Sequence, residues 1–393
     1  RIDAVEIRRR VAVGCACSQA ASGSCRKGTA GRRCTQACRR CGAKPEDELT
    51  GMSGFPIPVS VLTGFLGSGK TTLLNRLLKD PALSDTAVII NEFGDVGLDH
   101  LLVEKSDDGI IELSDGCLCC TVRGALIDTL ADLIERVQTG RASLKRIIIE
   151  TTGLADPAPV LQSIMGHPVM LQAYRLDGVI TTVDAVNSMS TLDAHAESVR
   201  QVAMADRIIL TKTDLPEAIK SLDELKLRLK RINPGAVALD APTGQAGVTA
   251  LFECGLYNPE TKTPDVRRWL NEEAFRDRET ERHGLDVHHH HHGHDHDDHH
   301  HHDINRHDKS IRSFSLTHDK PIPFASVEMF LDLLRSTQGE QMLRMKGIIA
   351  LVEEPDRPLV IHGVQKLMHP PVRLAAWPDA DRRTRLVIIG KDL

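Results

Sequence analysis

Residues 64–72 read Gly64-Phe65-Leu66-Gly67-Ser68-Gly69-Lys70-Thr71-Thr72. Gly64, Gly69, Lys70 and Thr71 match G-x-x-x-x-G-K-[ST], the phosphate-binding P-loop. Glycines let consecutive backbone N–H groups curl into an anion nest without Cβ clashes. A helix starting there adds its unpaired N–H groups and positive dipole end. Lys70 can then reach the β- and γ-phosphates, and the Thr71 hydroxyl can ligate Mg²⁺. Gly67, Ser68 and Thr72 complete the cradle. This chemistry is nucleotide binding.

Three further stretches fit a nucleotide site. Arg146-Ile147-Ile148-Ile149-Glu150, followed by Thr151-Thr152-Gly153, has the form of a Walker B strand. Glu150 can hold Mg²⁺ through water or orient the attacking water, and the Gly153 amide can sense a γ-phosphate. Glutamate stands where many such proteins use Asp. Thr211-Lys212-Thr213-Asp214 approximates the guanine motif N-K-x-D, with Thr211 replacing Asn. The Asp214 carboxylate can accept N1–H and N2–H from guanine, donors that adenine lacks, while the Lys212 stem lies along the base. GTP is therefore expected over ATP. Residues 91–99 are rich in glycine and carboxylates, including Glu92 and Asp95. They read either as a nucleotide-sensing switch facing Mg²⁺ or a second metal, or as a solvated acidic loop.

Two stretches carry metal-ligand chemistry. Cys117, Cys119 and Cys120 could chelate Zn²⁺ or Cu(I), with a carboxylate or His as fourth ligand. In extended backbone Cys117 and Cys119 share a face and Cys120 takes the other, so one ion requires a bend. The competing readings are buried thiols acting as small hydrophobes and a redox pair. The second stretch contains His288, His289, His290, His291, His292, His294, His296, His299, His300, His301 and His302, interleaved with Asp. No core can form from it. It reads as a flexible tether whose neutral imidazoles gather divalent ions with moderate selectivity.

The elements that must position these residues follow from periodicity. A buried strand is predicted before Gly64, and a helix with Leu73, Leu74, Leu77 and Leu78 behind Lys70. Strands are predicted at 87–90, 110–113, 146–150, 177–184 and 205–210, with helices at 121–137 and 215–232. Asn233-Pro234-Gly235 ends the last of these helices. Beyond the His tract, a strand at 311–317, a helix at 324–334 and strands at 345–352, 358–364, 372–377 and 385–389 predict a separate domain. The fold class is thus α/β, a P-loop NTPase with a doubly wound, mostly parallel sheet, followed by a small α+β C-terminal domain.

The 393 residues suffice for two domains, and 41% hydrophobic with 26% charged residues is ordinary for a soluble protein. A formal net charge of −5 and 3% aromatic residues give no basis for a nucleic-acid surface. No apolar stretch approaches the ~18 residues of a membrane helix. Residues 1–51 differ from the rest, with arginine clusters and Cys15, Cys17, Cys25, Cys34, Cys38 and Cys41. They are expected to be a non-native or disordered extension, the alternative being a small metal module on Cys34, Cys38 and Cys41. Outside them the cysteines are Cys117, Cys119, Cys120 and Cys254, a usage that fits a reducing, cytoplasmic setting.

The P-loop, 91–99, 116–120, 150–153 and 211–214, in that order, resemble the CobW-like branch of P-loop GTPases, relatives of the urease and hydrogenase nickel-insertion GTPases. The likeness spans roughly 56–393, and G-C-x-C-C is its most specific part. It implies a GTP-hydrolysing metallochaperone using GTP, Mg²⁺ and Zn²⁺, with Zn²⁺ delivered from Cys117, Cys119 and Cys120 to a client metalloprotein. Other branch members handle Co²⁺ in cobalamin synthesis or nitrile hydratase activation. A zinc store or sensor centred on the His tract is the other class of function, and a homodimer stays open. The domain division is 1–51, a GTPase domain at 52–255, a His-rich linker at 256–309 and the C-terminal domain at 310–393.

Overall fold

The computed structural model describes residues 56–91, 110–113, 118–252, 311–378 and 380–392. The expectations for 1–51, Glu92, Asp95, Cys117 and the His tract at 288–302 lie outside these residues.

The nucleotide-binding part runs β1 (Ile57–Gly64), α1 (Lys70–Leu78), β2 (Thr86–Asn91), β3 (Ile110–Leu113), α2 (Leu118–Gln138), β4 (Arg146–Thr151), α3 (Ala158–Met165) and α4 (Pro168–Ala173). It continues with β5 (Tyr174–Asp184), α5 (Ser188–Ala194), α6 (Ala196–Met204), β6 (Arg207–Thr211), α7 (Pro216–Ile219), α8 (Leu222–Ile232), β7 (Val237–Asp240) and α9 (Val248–Leu251). The strands form a 7-stranded sheet in the order β3-β2-β4-β1-β5-β6-β7. The pairs β2–β3, β5–β6 and β6–β7 are parallel. Strand order reverses direction about β1, so the P-loop stands at the switch point where open α/β sheets bind ligands. Continuous apolar runs such as Ile147, Ile148 and Ile149, each at most 1% exposed, are what a sheet covered on both faces requires.

The sequence expectation of a helix over 215–232 is corrected to two helices. Pro216 starts one turn that stops before Lys220, and Ser221 is the N-cap of α8. Asp223 and Glu224 in its first turn and Lys230 and Arg231 in its last complement the helix dipole, which favours the restart. β5 begins at Tyr174 rather than 177, and the Tyr174 hydroxyl donates to Leu130 O at 2.7 Å. Helix α2 starts at Leu118, so the backbone of Cys119 and Cys120 is helical rather than extended. β7 and α3 to α6 are elements that the sequence expectations did not include.

The C-terminal part contains β8 (Ile311–His318), α10 (Phe324–Gln338), β9 (Met342–Ile349), β10 (Leu359–Val364), β11 (Leu367–Met368), β12 (Val372–Arg373) and β13 (Thr384–Lys391). The sheet order is β11-β10-β9-β13-β8, with β12 on β10, and the pairings are antiparallel. Val327 and Leu331 of α10 pack on Met345, Ile361 and Leu386, giving the expected α+β arrangement. The predicted strand at 372–377 shrinks to two residues. Leu374 and Trp377 instead pack against Ile348 and Val360, while Trp377 Nε1 bonds Pro355 O at 2.7 Å.

Two cations of this sheet reach the start of β6. Arg344 and Lys346 of β9 both bond Asp206 Oδ1, and Asp206 Oδ2 accepts Val179 N–H at 2.9 Å. Burial works against the Asp206 charge, yet Arg344 and Lys346 hold its carboxyl well below the usual range. Burial, with help from Arg344, pushes Lys346 down to about 8. His362, opposite Lys346 on β10, is held neutral by burial and by the same two cations.

Candidate nucleotide site

The P-loop leaves β1 at Gly64 with φ +142, and a Cβ there would lie 2.3 Å from Thr182 Oγ1 and 2.5 Å from Thr182 O. Gly69 has φ +89, a left-handed conformation that glycine adopts without penalty. The loop is braced from β5. Thr182 Oγ1 donates to Thr63 O at 3.3 Å, so Ser68 Oγ is left to donate to Thr182 Oγ1 at 2.6 Å.

Lys70 opens α1 and is 7% exposed. Its Nζ donates to Gly64 O at 2.9 Å and Phe65 O at 3.2 Å, which anchors the ammonium over the loop. Thr71 is partly buried and Thr72 exposed.

The loop after β6 is fastened to the P-loop. Thr211 Oγ1, at the end of β6, donates to Ser68 O at 2.9 Å. Lys212 has φ +58, and its Nζ bonds Asp184 Oδ2 at 2.7 Å. Asp184 also accepts from Asn187 Nδ2 at 2.9 Å and Val186 N at 2.8 Å. Burial opposes the Asp184 charge, but Lys212, Asn187 and the Val186 amide outweigh it and lower the carboxyl pKa. Thr213 Oγ1 bonds Asp240 Oδ1 at 2.9 Å, and Asp240 also caps Thr243 N at 3.2 Å. Asp214 follows on the same loop with its side chain exposed. Phe65, Ser68, Thr182, Asp184, Asn187 and Lys212 are among the residues that line a cavity of about 210 Å³.

Glu150 is buried at the end of β4. Beyond it, Thr151 Oγ1 donates to Thr63 Oγ1 at 2.8 Å. Gly153 packs on the P-loop so closely that a Cβ would stand 2.7 Å from Leu66 N and 2.8 Å from Leu66 Cα. Gln201 of α6 donates to Gly153 O at 3.1 Å and Ala155 O at 3.0 Å.

The structure therefore brings Lys70, Ser68, Thr211 and Lys212 together and sets Gly153 against the P-loop. Sequence reasoning missed Thr182, Asp184, Asp240 and Gln201. Asp184 closes a predicted strand, and a carboxylate at that position was the available signal. Gln201 had none. No group of three His, Cys, Asp or Glu placed to hold a metal occurs among the described residues. Among the same residues no helix is long and apolar enough to cross a membrane.

A family model described as CobW/HypB/UreG, nucleotide-binding domain, matches residues 58–240, and one described as Cobalamin synthesis protein cobW C-terminal domain matches 311–393. Zinc chaperone YjiA of Escherichia coli strain K12 is 32% identical over 338 residues, 86% of this chain and 95% of the relative. Zinc chaperone CobW of Pseudomonas aeruginosa is 31% identical over 392 residues, 92% of this chain and 94% of the relative. The crystal structure of Zn(II)-bound YjiA GTPase from E. coli matches with TM-score 0.59 and 29% identity, covering 86% of this chain and 95% of that one. The chain belongs to the CobW/HypB/UreG family and has its P-loop GTPase fold.

Proposed function

We propose that this protein is a GTP-hydrolysing metallochaperone that takes Zn²⁺ as cargo at Cys117, Cys119 and Cys120 and passes it to a client metalloprotein. The observation that carries the nucleotide half is the bond from Thr211 to Ser68, which ties the loop after β6 to the P-loop as a shared nucleotide site would require. The cargo half rests on the three thiols and on relatives named as zinc chaperones that match this chain over most of their length.

In this reading the P-loop amides and Lys70 bind the phosphates, while Asp214 accepts the two guanine donors. Lys70 Nζ already faces loop carbonyls, so meeting a phosphate exchanges one set of oxygen acceptors for another. The Gly64 turn, where a side chain cannot fit, is the cradle such a ligand requires. Thr71 and Glu150 would hold Mg²⁺, which neutralises phosphate charge when bound. The Gly153 amide is the γ-phosphate sensor, and Glu150 orients the attacking water.

The test is phosphate release from GTP and from ATP by the full chain, with Zn²⁺ retention measured against a chromophoric chelator. The reading predicts turnover of GTP in preference to ATP, and weaker Zn²⁺ retention in Cys119→Ala. Equal turnover of ATP and GTP overturns the base assignment. Retention unchanged by Cys119→Ala would favour a zinc store on the His tract.

A further inference from the structure

Gln201 lies outside every motif, yet it is 1% exposed and lines the cavity that Phe65, Ser68 and Lys212 share. Both groups its side chain meets, Gly153 O and Ala155 O, are carbonyls, so only the amide NH₂ can face them. Two donors thus hold two carbonyls one residue apart on the loop after β4. The Thr181 hydroxyl donates to Gln201 O at 2.9 Å and fixes the backbone that carries the side chain. Next to it on α6, Arg200 pairs with Asp156 Oδ2 at 3.6 Å, and Asp156 Oδ1 accepts Ala158 N–H at 2.9 Å. From the other side Gly153 is pressed against Leu66 of the P-loop. The loop is held between the phosphate cradle and α6.

We infer that Gln201 is a positioning residue for GTP hydrolysis: by holding the carbonyls of Gly153 and Ala155 it sets where the Gly153 N–H stands relative to the γ-phosphate. The inference rests on the GTPase reading and names a residue which that reading does not use. The Gly153 N–H shares its peptide plane with Thr152 O, which accepts Ala155 N–H at 3.2 Å. Because Gly153 has no side chain to restrict its φ and ψ, the bonds from Gln201 to the flanking carbonyls are what hold this turn in one orientation. Donors aimed before the reaction begins are what stabilise charge developing on a transferring phosphoryl group. Gln201 touches no reacting atom. Its effect passes through the loop, and it discriminates nucleotides because GDP offers that loop no γ-phosphate.

The experiment compares wild type, Gln201→Met and Gln201→Glu as full chains, measuring kcat for GTP and the Kd of fluorescent GDP and of a non-hydrolysable GTP analogue. Methionine keeps the length and removes both donors. Glutamate turns an anion toward two carbonyls until it is protonated, when it regains one donor. Loss of two hydrogen bonds predicts a kcat lower by about 10- to 100-fold in Gln201→Met. GDP affinity should stay within about twofold, and the preference for the GTP analogue over GDP should fall by about tenfold. Gln201→Glu should be slower still at pH 8 and recover as pH falls through its burial-raised carboxyl pKa while GDP affinity stays level over that range, a split that a purely structural role does not predict. A kcat for Gln201→Met within twofold of wild type, or GDP affinity falling in step with kcat, overturns the inference alone. A wild type that binds GDP but does not turn over GTP overturns the GTPase reading and this inference with it. If neither Gln201 variant folds, Arg200→Ala, which loosens the same loop from a more exposed position, should lower kcat by about 2- to 5-fold at unchanged GDP affinity. An unchanged kcat there counts against the proposal.

Discussion

The hydroxyl of Thr211 donates to the carbonyl of Ser68 across 2.9 Å, joining the end of β6 to the P-loop. This residue is where the chain departs from the usual N-K-x-D pattern, and its hydroxyl ties the loop proposed to read the base to the P-loop all the same. Thr211→Val keeps the shape and leaves the buried Ser68 carbonyl without this donor, at a cost of about 1–3 kcal/mol. Urea denaturation should show the lost stability, and GDP titration should show roughly five- to a hundredfold weaker binding. Thr211→Ser should behave as wild type. Unchanged GDP affinity in Thr211→Val would remove the link between the two loops.

Base choice is tested at Asp214. Asp214→Asn replaces one acceptor by a donor, so GTP should bind about 10- to 100-fold more weakly. Xanthine carries a carbonyl where guanine carries its 2-amino group, so the same variant should gain affinity for XTP. Titration with GTP, XTP and ATP reads both effects. A variant that loses GTP without gaining XTP would place the guanine contact elsewhere.

Lys70→Ala should abolish turnover, because the γ-phosphoryl oxygens lose their cation as charge shifts in the transition state. Lys70 also bonds Gly64 O and Phe65 O, so the variant should melt lower as well. Activity per folded protein, normalised by circular dichroism, separates the two effects. Normal hydrolysis by a folded Lys70→Ala protein would refute the P-loop assignment.

Stability should fall with acid through His362. Its folded pKa is depressed well below 6.5 by burial and then by Arg344 and Lys346, with Asp206 and His369 as the other charged or titratable neighbours. The unfolded chain takes up a proton near pH 6.5 that the folded chain refuses, so stability drops as pH falls below about 6.5. Asp206 adds a second loss only below about pH 4, where the unfolded carboxyl protonates first and its depressed folded pKa matters. Denaturation midpoints at pH 7.5 and 5.5 should differ for wild type and differ less in His362→Gln, the remainder belonging to His369, whose pKa burial also lowers. An equal acid shift in both would assign the effect to other groups.

What was legible in the sequence was local. Gly64, Gly69, Lys70 and Thr71 are consecutive enough that a spacing rule captures them, and β-branched runs marked most strands of both sheets. What was hidden depends on residues far apart in the chain. Gln201 meets Gly153 from 48 positions away, and Thr211 meets Ser68 from 143. No periodicity encodes such pairs. The region 215–232 looked like one helix because its apolar spacing continues across Lys220 and Ser221, where the backbone restarts. Trp377 and Leu374 looked like strand residues because burial on a sheet face imposes the same apolar composition as membership of the sheet.

A GTP-hydrolysing chaperone that hands on Zn²⁺ requires its zinc affinity to change with nucleotide state, and we propose that the two are linked. The direct measurement is competitive Zn²⁺ titration of a protein lacking residues 288–302, once with GDP and once with a non-hydrolysable GTP analogue. A release step of use to a client requires about a 10- to 100-fold difference, or 1.4–2.8 kcal/mol of coupling. Reciprocity then requires Zn²⁺ to shift the affinity for the GTP analogue relative to GDP by the same factor. The account predicts that difference, and predicts that Cys119→Ala abolishes it. Identical Zn²⁺ affinities in the two nucleotide states, with Cys119→Ala making no change, would contradict it.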